Sequence, residues 1–284
     1  MMNIKKEKYS LAISLWKEWN SKINVISRKD ADAIFEHHIL HSLSIAEYIR
    51  RHYGTLEAAA GRNGNADAAS ISGTATTSLT GKSAALENGS AATLENGSAV
   101  ATSLSGNNSA ATLESGSAIL ASISGNNALP ASEKVSTSRP VTILDLGTGG
   151  GFPGIPLAME WPEAQFTLCD SIGKKIKVAQ AVSDGLGLKN VSCIQARAED
   201  LQGGWDFVVS RAVAPLDTLY SWVGAKFHRS LICLKGGDVN EEIAILLKRF
   251  KLSPKQIRTW RISDWLEDEY FAEKFVIEVG KSEF

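Results

Sequence analysis

Asp145-Leu146-Gly147-Thr148-Gly149-Gly150-Gly151-Phe152-Pro153-Gly154 is the stretch that decides the fold. It follows an apolar run at 141–146 that reads as a buried strand, and a helical stretch at 155–161 comes after it. Glycines between a strand and a helix permit a tight turn and let a ligand approach the backbone closely. A literal G-x-G-x-x-G occurs at Gly149, Gly151 and Gly154. Asp170 ends the next strand-like run, about twenty residues on, where an acid accepts hydrogen bonds from ribose hydroxyls. The spacing therefore fits a nicotinamide dinucleotide. Three features fit S-adenosylmethionine better. Asp145 precedes the first glycine by two residues, where its charge can face a sulfonium or ammonium group. The glycines already begin at Gly147. Pro153 and Pro156 stand at the helix start, where a pyrophosphate would want free N–H groups that proline lacks.

Outward from this block, the C-terminal half alternates strand and helix. Strands are expected at 165–169, 191–195, 207–210, 231–234, 257–261 and 275–279, with helices at 174–184 and 241–250. That order predicts an α/β, doubly wound, mostly parallel sheet whose ligands bind at the carboxyl ends of strands. The N-terminal segment, residues 1–53, reads as two amphipathic helices. Tyr9, Ala12, Ile13, Trp16, Trp19 and Ile23 mark the first, and Phe35, Ile39, Leu43, Ala46, Ile49 and Tyr53 the second, with Ser27 or Asp30 expected as the second helix's cap.

Between them, residues 54–138 contain no Phe, Trp or Tyr. Leu86-Glu87-Asn88-Gly89-Ser90-Ala91 recurs as Leu94-Glu95-Asn96-Gly97-Ser98-Ala99, and both 94–108 and 113–127 end in Ser-Gly-Asn-Asn. Repeats this poor in large apolar residues cannot build a stacked core, so a disordered insert is expected. The organisation read from the sequence is thus 1–53, a helical segment packing on the catalytic domain; 54–138, an insert; and 139–284, the Rossmann-like domain.

The 284 residues carry 30 Lys+Arg and 31 Asp+Glu, a formal net charge of −1. Residues 1–53 are mildly basic, with nine Lys/Arg against six Asp/Glu, which could meet a polyanion or be solvated helix surface. Three cysteines, at 169, 193 and 233, show no motif spacing, so neither a disulfide scaffold nor a cysteine zinc site is expected. The charged start and the lack of a long apolar run lead us to expect no signal peptide, no membrane and a cytoplasmic protein.

The block from Asp145 to Pro156 resembles the cofactor motif of the ribosomal RNA small subunit methyltransferase G family, also called glucose-inhibited division protein B. Trp19-Asn20 with Asn24, His38-Ile39-Leu40-His41-Ser42-Leu43, Asp170-Ser171, Arg197-Ala198-Glu199, Ser210-Arg211-Ala212 and Leu234-Lys235-Gly236 agree in order. The resemblance implies a seven-stranded class I S-adenosylmethionine-dependent methyltransferase acting on guanine N7 of 16S rRNA near the decoding region. It further implies that Gly147, Phe152, Ala198, Glu199 and Arg211 contact the methyl donor; Asp170 joins them on the ribose argument. Many family members have Asp where this chain has His41. His38 and His41 lie three apart on one helix without a third ligand nearby in sequence, so no metal is expected.

Guanine N7 carries an in-plane lone pair and no proton, so its methylation requires no general base, and no catalytic acid or base is nominated. The expected partner is 16S rRNA or the small subunit, bound by a monomer without a protein partner. Lys174, Lys175, Lys177, Lys235 and the basic N-terminal helices are candidate phosphate contacts. A nicotinamide-dependent oxidoreductase and a non-catalytic RNA-binding protein remain the alternatives.

Overall fold

The computed structural model describes residues 4–27, 29–61 and 139–284. The disorder expected of the repeats falls on residues 62–138, outside the described residues.

Seven strands form one sheet: β1 (Thr142–Leu146), β2 (Gln165–Asp170), β3 (Val191–Gln195), β4 (Trp205–Arg211), β5 (Phe227–Gly236), β6 (Ile257–Arg261) and β7 (Lys274–Gly280). Their order is β3-β2-β1-β4-β5-β7-β6. The first five run parallel, and β7 lies antiparallel between β5 and β6. This is the expected mostly parallel, doubly wound α/β architecture. Because the order turns back on itself between β1 and β4, the carboxyl ends of those two strands open a crevice, the place where such sheets bind ligands.

Strand alternation sorts the core into two layers. Ile143, Phe166, Leu168, Phe207, Val209, Ile232, Leu234 and Val276 belong to one layer. With them pack α1 (Ser10–Lys22), α2 (His41–Tyr53), α3 (Leu56–Ala59), α4 (Gly154–Glu160) and α5 (Gly173–Gly185). Leu144, Leu146, Val208, Leu231, Cys233, Ile277 and Val279 form the other layer, under α6 (Leu216–Val223) and α7 (Asn240–Phe250). The sequence reading passes over α6, whose Leu216, Leu219 and Val223 supply its buried stripe.

The N-terminal helices complete a layer that the Rossmann-like part leaves open. Helix α2 lies over β5 and β7, where its Tyr48 and Tyr53 hydroxyls donate to Glu278 Oε2 at 2.6 and 2.8 Å. Ser230 Oγ donates to the other carboxylate oxygen at 2.6 Å. Three hydroxyls thus solvate a carboxylate that is 1% exposed, as a buried charge requires. The second helical stretch starts later than its expected caps. Ser27 donates to Asp30, and Asp30 is spent on His37 Nδ1 at 2.8 Å. A π-helical segment, Ile34–Leu40, then runs straight into α2. Packing also continues past residue 53, because Leu56 and Ala59 of α3 are buried.

The flanks of residues 62–138 meet the sheet at its amino-terminal edge. Gly61 lies against the Arg229 guanidinium near the start of β5. Arg139 donates to both carboxylate oxygens of Asp206 near the start of β4, at 2.9 and 3.1 Å.

Candidate active site

The chain leaves β1 into a loop built by backbone hydrogen bonds. The amides of Gly147 and Thr148 both donate to Cys169 O, at 2.8 and 3.0 Å, tying the loop to the end of β2. Gly147 has φ +70°, and a Cβ there would run into the Val213 side chain. Gly149 also has positive φ, yet a Cβ on it would meet nothing within 4 Å, so its face is open.

Two carboxylates stand at this loop. Asp170 Oδ2 accepts from Gly149 N at 3.0 Å and Oδ1 from Ile172 N at 2.9 Å, with Lys175 Nζ 4.0 Å away. A carboxylate accepts about four hydrogen bonds, so Asp170 keeps capacity for a hydroxyl pair. Asp145 is fully buried; its Oδ2 accepts from Thr148 Oγ1 and Gly154 N at 2.6 and 2.8 Å, while Oδ1 has no partner. Burial pushes its carboxyl up to about 7, against the Thr148 and Gly154 hydrogen bonds that pull it down.

Arg211 lies over the Phe152 ring beside the crevice. The Arg211 guanidinium lies 5.1 Å from the centre of the Phe152 ring. That ring, 3% exposed, stacks on Trp16 of α1 at 4.2 Å. Trp16 Nε1 donates to Gly150 O at 2.7 Å, so the N-terminal segment holds the glycine loop directly. From the π-helical segment, His38 Nδ1 accepts from Arg211 at 2.9 Å, with its ring 5.0 Å from Phe152. Burial and the Arg211 charge hold the His38 imidazole down at about 3. His41 is buried edge-on to Tyr270 and Phe271, and both its ring nitrogens lack polar partners. Among the described residues, no group of three His, Cys, Asp or Glu side chains is arranged to hold a metal.

Four of the six expected donor contacts, Gly147, Phe152, Asp170 and Arg211, are therefore gathered at the carboxyl ends of β1, β2 and β4. Ala198 and Glu199 lie on the loop after β3. Ala198 is buried, Glu199 is exposed, and Lys226 Nζ holds both their carbonyl oxygens. Among the described residues, the Glu199 carboxylate has no polar contact with the glycine loop. Beyond β4, Ala212 adopts φ +52° and presents Val213, 39% exposed, over Gly147. A left-handed conformation at a residue bearing a Cβ is strain that clusters at functional sites.

The expectation that Lys235 contacts phosphate is corrected. Its side chain is 10% exposed, pairs with Glu242 at 2.7 Å and donates to Ala214 O at 2.6 Å. Lys235 braces the loop after β4. In the N-terminal segment, Lys6, Lys8, Lys17 and Lys22 pair with Glu36, Glu160, Asp32 and Glu18, which reduces the free positive charge there. Lys174 and Lys177 stay exposed.

The contacts that sequence reasoning missed, Trp16 with Gly150 and His38 with Arg211, join residues 134 and 173 positions apart. The available signal was limited to Trp16 in an apolar stripe and His38 in a motif.

Comparison with known proteins decides the family. The model of the rRNA small subunit methyltransferase G family matches residues 117–262. The ribosomal RNA small subunit methyltransferase G of Christiangramia forsetii is 32% identical over 279 residues, covering 95% of this chain and 87% of that protein. The chain belongs to the ribosomal RNA small subunit methyltransferase G family. The methyltransferase G of Cytophaga hutchinsonii is likewise 32% identical, over 275 residues, 94% of this chain and 87% of that one. Among solved structures, magnesium protoporphyrin IX methyltransferase from Synechocystis PCC 6803 with bound SAM is 21% identical. It covers 50% of this chain and 71% of its own, with a TM-score of 0.42. As a methyltransferase G family member, this chain has its glycine loop, Asp145 and Arg211 inside the span matched by the family model.

Proposed function

We propose that this chain is an S-adenosylmethionine-dependent methyltransferase that methylates N7 of a guanine in 16S rRNA near the decoding region. Family membership selects the methyl donor over the nicotinamide cofactor that the glycine spacing also allowed. The observation that carries the reading is the meeting, at the sheet's switch point, of an open glycine loop, a carboxyl with one unpartnered oxygen and a guanidinium. The residues fit the donor. Asp145 Oδ1 is an orphaned acceptor beside the loop, and no carboxylate lies within ion-pair distance of Arg211 among the described residues.

When bound, S-adenosylmethionine supplies an electrophilic methyl group on a sulfonium. In this reading Asp170 accepts from the ribose hydroxyls, Gly147 and Phe152 bound the donor, and Arg211 binds its carboxylate. Ala198 and Glu199 frame the adenine. Guanine N7 attacks without losing a proton, so catalysis rests on alignment and on the exclusion of water by the helices over the loop. In A-form RNA the N7 edge is poorly accessible, so the target base is unstacked or in a loop. The same reading places the enzyme in the cytoplasm as a monomer acting on the small subunit or its RNA.

The test is transfer of labelled methyl groups to small subunits that lack the modification, followed by reduction and aniline cleavage, which cuts at 7-methylguanine. One cleavage site in 16S rRNA is the expected result. Label without cleavage would place the methyl on another atom, and donor binding without label would make the protein a binder only.

A further inference from the structure

Arg211 is a half-buried guanidinium whose polar protein contact is a histidine. A guanidinium has only donors, so the nitrogen it meets, His38 Nδ1, must be the acceptor of a neutral ring. The proton is then on Nε2, which is buried without a partner. The ring is wedged against Phe152, and the adjoining His37 is stacked on Tyr270 at 3.7 Å, with the Tyr270 hydroxyl bonded to His37 O at 3.2 Å. His38 is therefore held by its backbone segment as well as by its own ring.

We infer that His38 is a positioning residue that aims the Arg211 guanidinium at the carboxylate of the methyl donor while leaving its charge unspent. This rests on the donor reading above. The physical point is the choice of partner. A carboxylate would orient Arg211 equally well but would neutralise it, whereas a neutral imidazole accepts the hydrogen bond and leaves the full charge for the ligand. Protonation of His38 would remove the acceptor and set two cations side by side, so the ring's depressed basicity suits this role.

The experiment compares two ligands by calorimetry on the full chain: S-adenosylhomocysteine and its decarboxylated analogue S-adenosyl-3-thiopropylamine, which keeps the amine and lacks the carboxylate. Wild type should prefer the former by about tenfold or more, the order of one charge-assisted contact. His38→Asn, whose side-chain oxygen can replace Nδ1, should keep much of that preference. His38→Asp, the same shape with a charge, should abolish it, and His38→Phe should reduce it about threefold, the order of one lost neutral hydrogen bond. Loss of affinity for both ligands in equal measure would mean that His38 is merely structural and would overturn the inference. An unchanged preference in His38→Asp would overturn it equally.

If wild type binds both ligands with no preference, Arg211 does not read the carboxylate and the inference falls while the donor reading stands. If wild type binds neither, the donor reading falls as well. A measurement on wild type alone guards against misfolded variants. Nitrogen-15 NMR should show His38 as a neutral Nε2–H tautomer from pH 5 to 8, and an Nδ1–H tautomer or an imidazolium would refute the geometry.

Discussion

Trp16 donates its indole N–H to the carbonyl oxygen of Gly150 at 2.7 Å, so a side chain of the first helix holds the backbone of a loop 134 residues away. The same indole stacks on Phe152, which carries the Arg211 guanidinium on its ring. Trp16→Phe keeps an aromatic ring but strands the Gly150 carbonyl, at a cost of about 1–3 kcal/mol. The expected outcome is a lower melting temperature together with weaker donor binding. A variant that loses stability and keeps full donor affinity would show that the loop holds its shape unaided.

Gly147 and Gly149 provide a paired test of space against backbone strain. Both have positive φ, but a Cβ at Gly147 meets Val213 and one at Gly149 meets open space. Gly147→Ala should lose both stability and donor binding. Gly149→Ala should show only backbone strain in the free protein, about 1–2 kcal/mol, and should keep most of the stabilisation that the ligand gives. Thermal melts with and without S-adenosylhomocysteine separate the two.

If the donor's ammonium group sits beside Asp145, as the donor reading has it, donor binding should depend on pH. Its carboxyl, pushed up to about 7 by burial, is largely protonated in the free protein below that value. A ligand ammonium group beside it favours the carboxylate and pulls the pKa down. Binding near pH 7 should then release protons, and affinity should fall as the pH drops below 7, approaching tenfold per unit. Titrations in buffers of different ionisation enthalpy would count the protons, and Asp145→Asn should abolish the release.

Glu278 ties helix α2 to the sheet through three hydroxyls. Tyr48→Phe removes one of them and leaves a buried carboxylate oxygen with one partner fewer, so a loss of about 1–3 kcal/mol is expected from urea unfolding. Donor affinity, measured on the folded variant, should be unchanged, because this contact lies away from the glycine loop.

Replacing residues 62–138 with a short Gly/Ser linker should leave donor binding and methyl transfer intact. Closing a loop of that length instead of about eight residues costs only about 2 kcal/mol. Loss of folding in the shortened chain would show that the repeats contribute to the core.

The glycine loop, the alternating strands and the amphipathic stripes were legible in the sequence because each is a local pattern. The strand Ile257–Arg261 is found where its alternation put it. The partners of the polar side chains were not legible. Lys235 reads as a free cation until the fold brings Glu242 and Ala214 O to it. His38 reads as one histidine of a pair until β4 delivers Arg211. Periodicity reports which face of an element is buried, whereas these contacts depend on which element lies opposite.

Gly61 and Arg139 meet the sheet at the edge where its parallel strands begin, whereas the glycine loop lies where they end. That separation makes the junction a natural splice point. A fluorescent domain or an affinity handle inserted between Gly61 and Arg139 would leave both chain termini and the crevice untouched. The enzyme could then be watched on its ribosomal target through a label that the chemistry never meets.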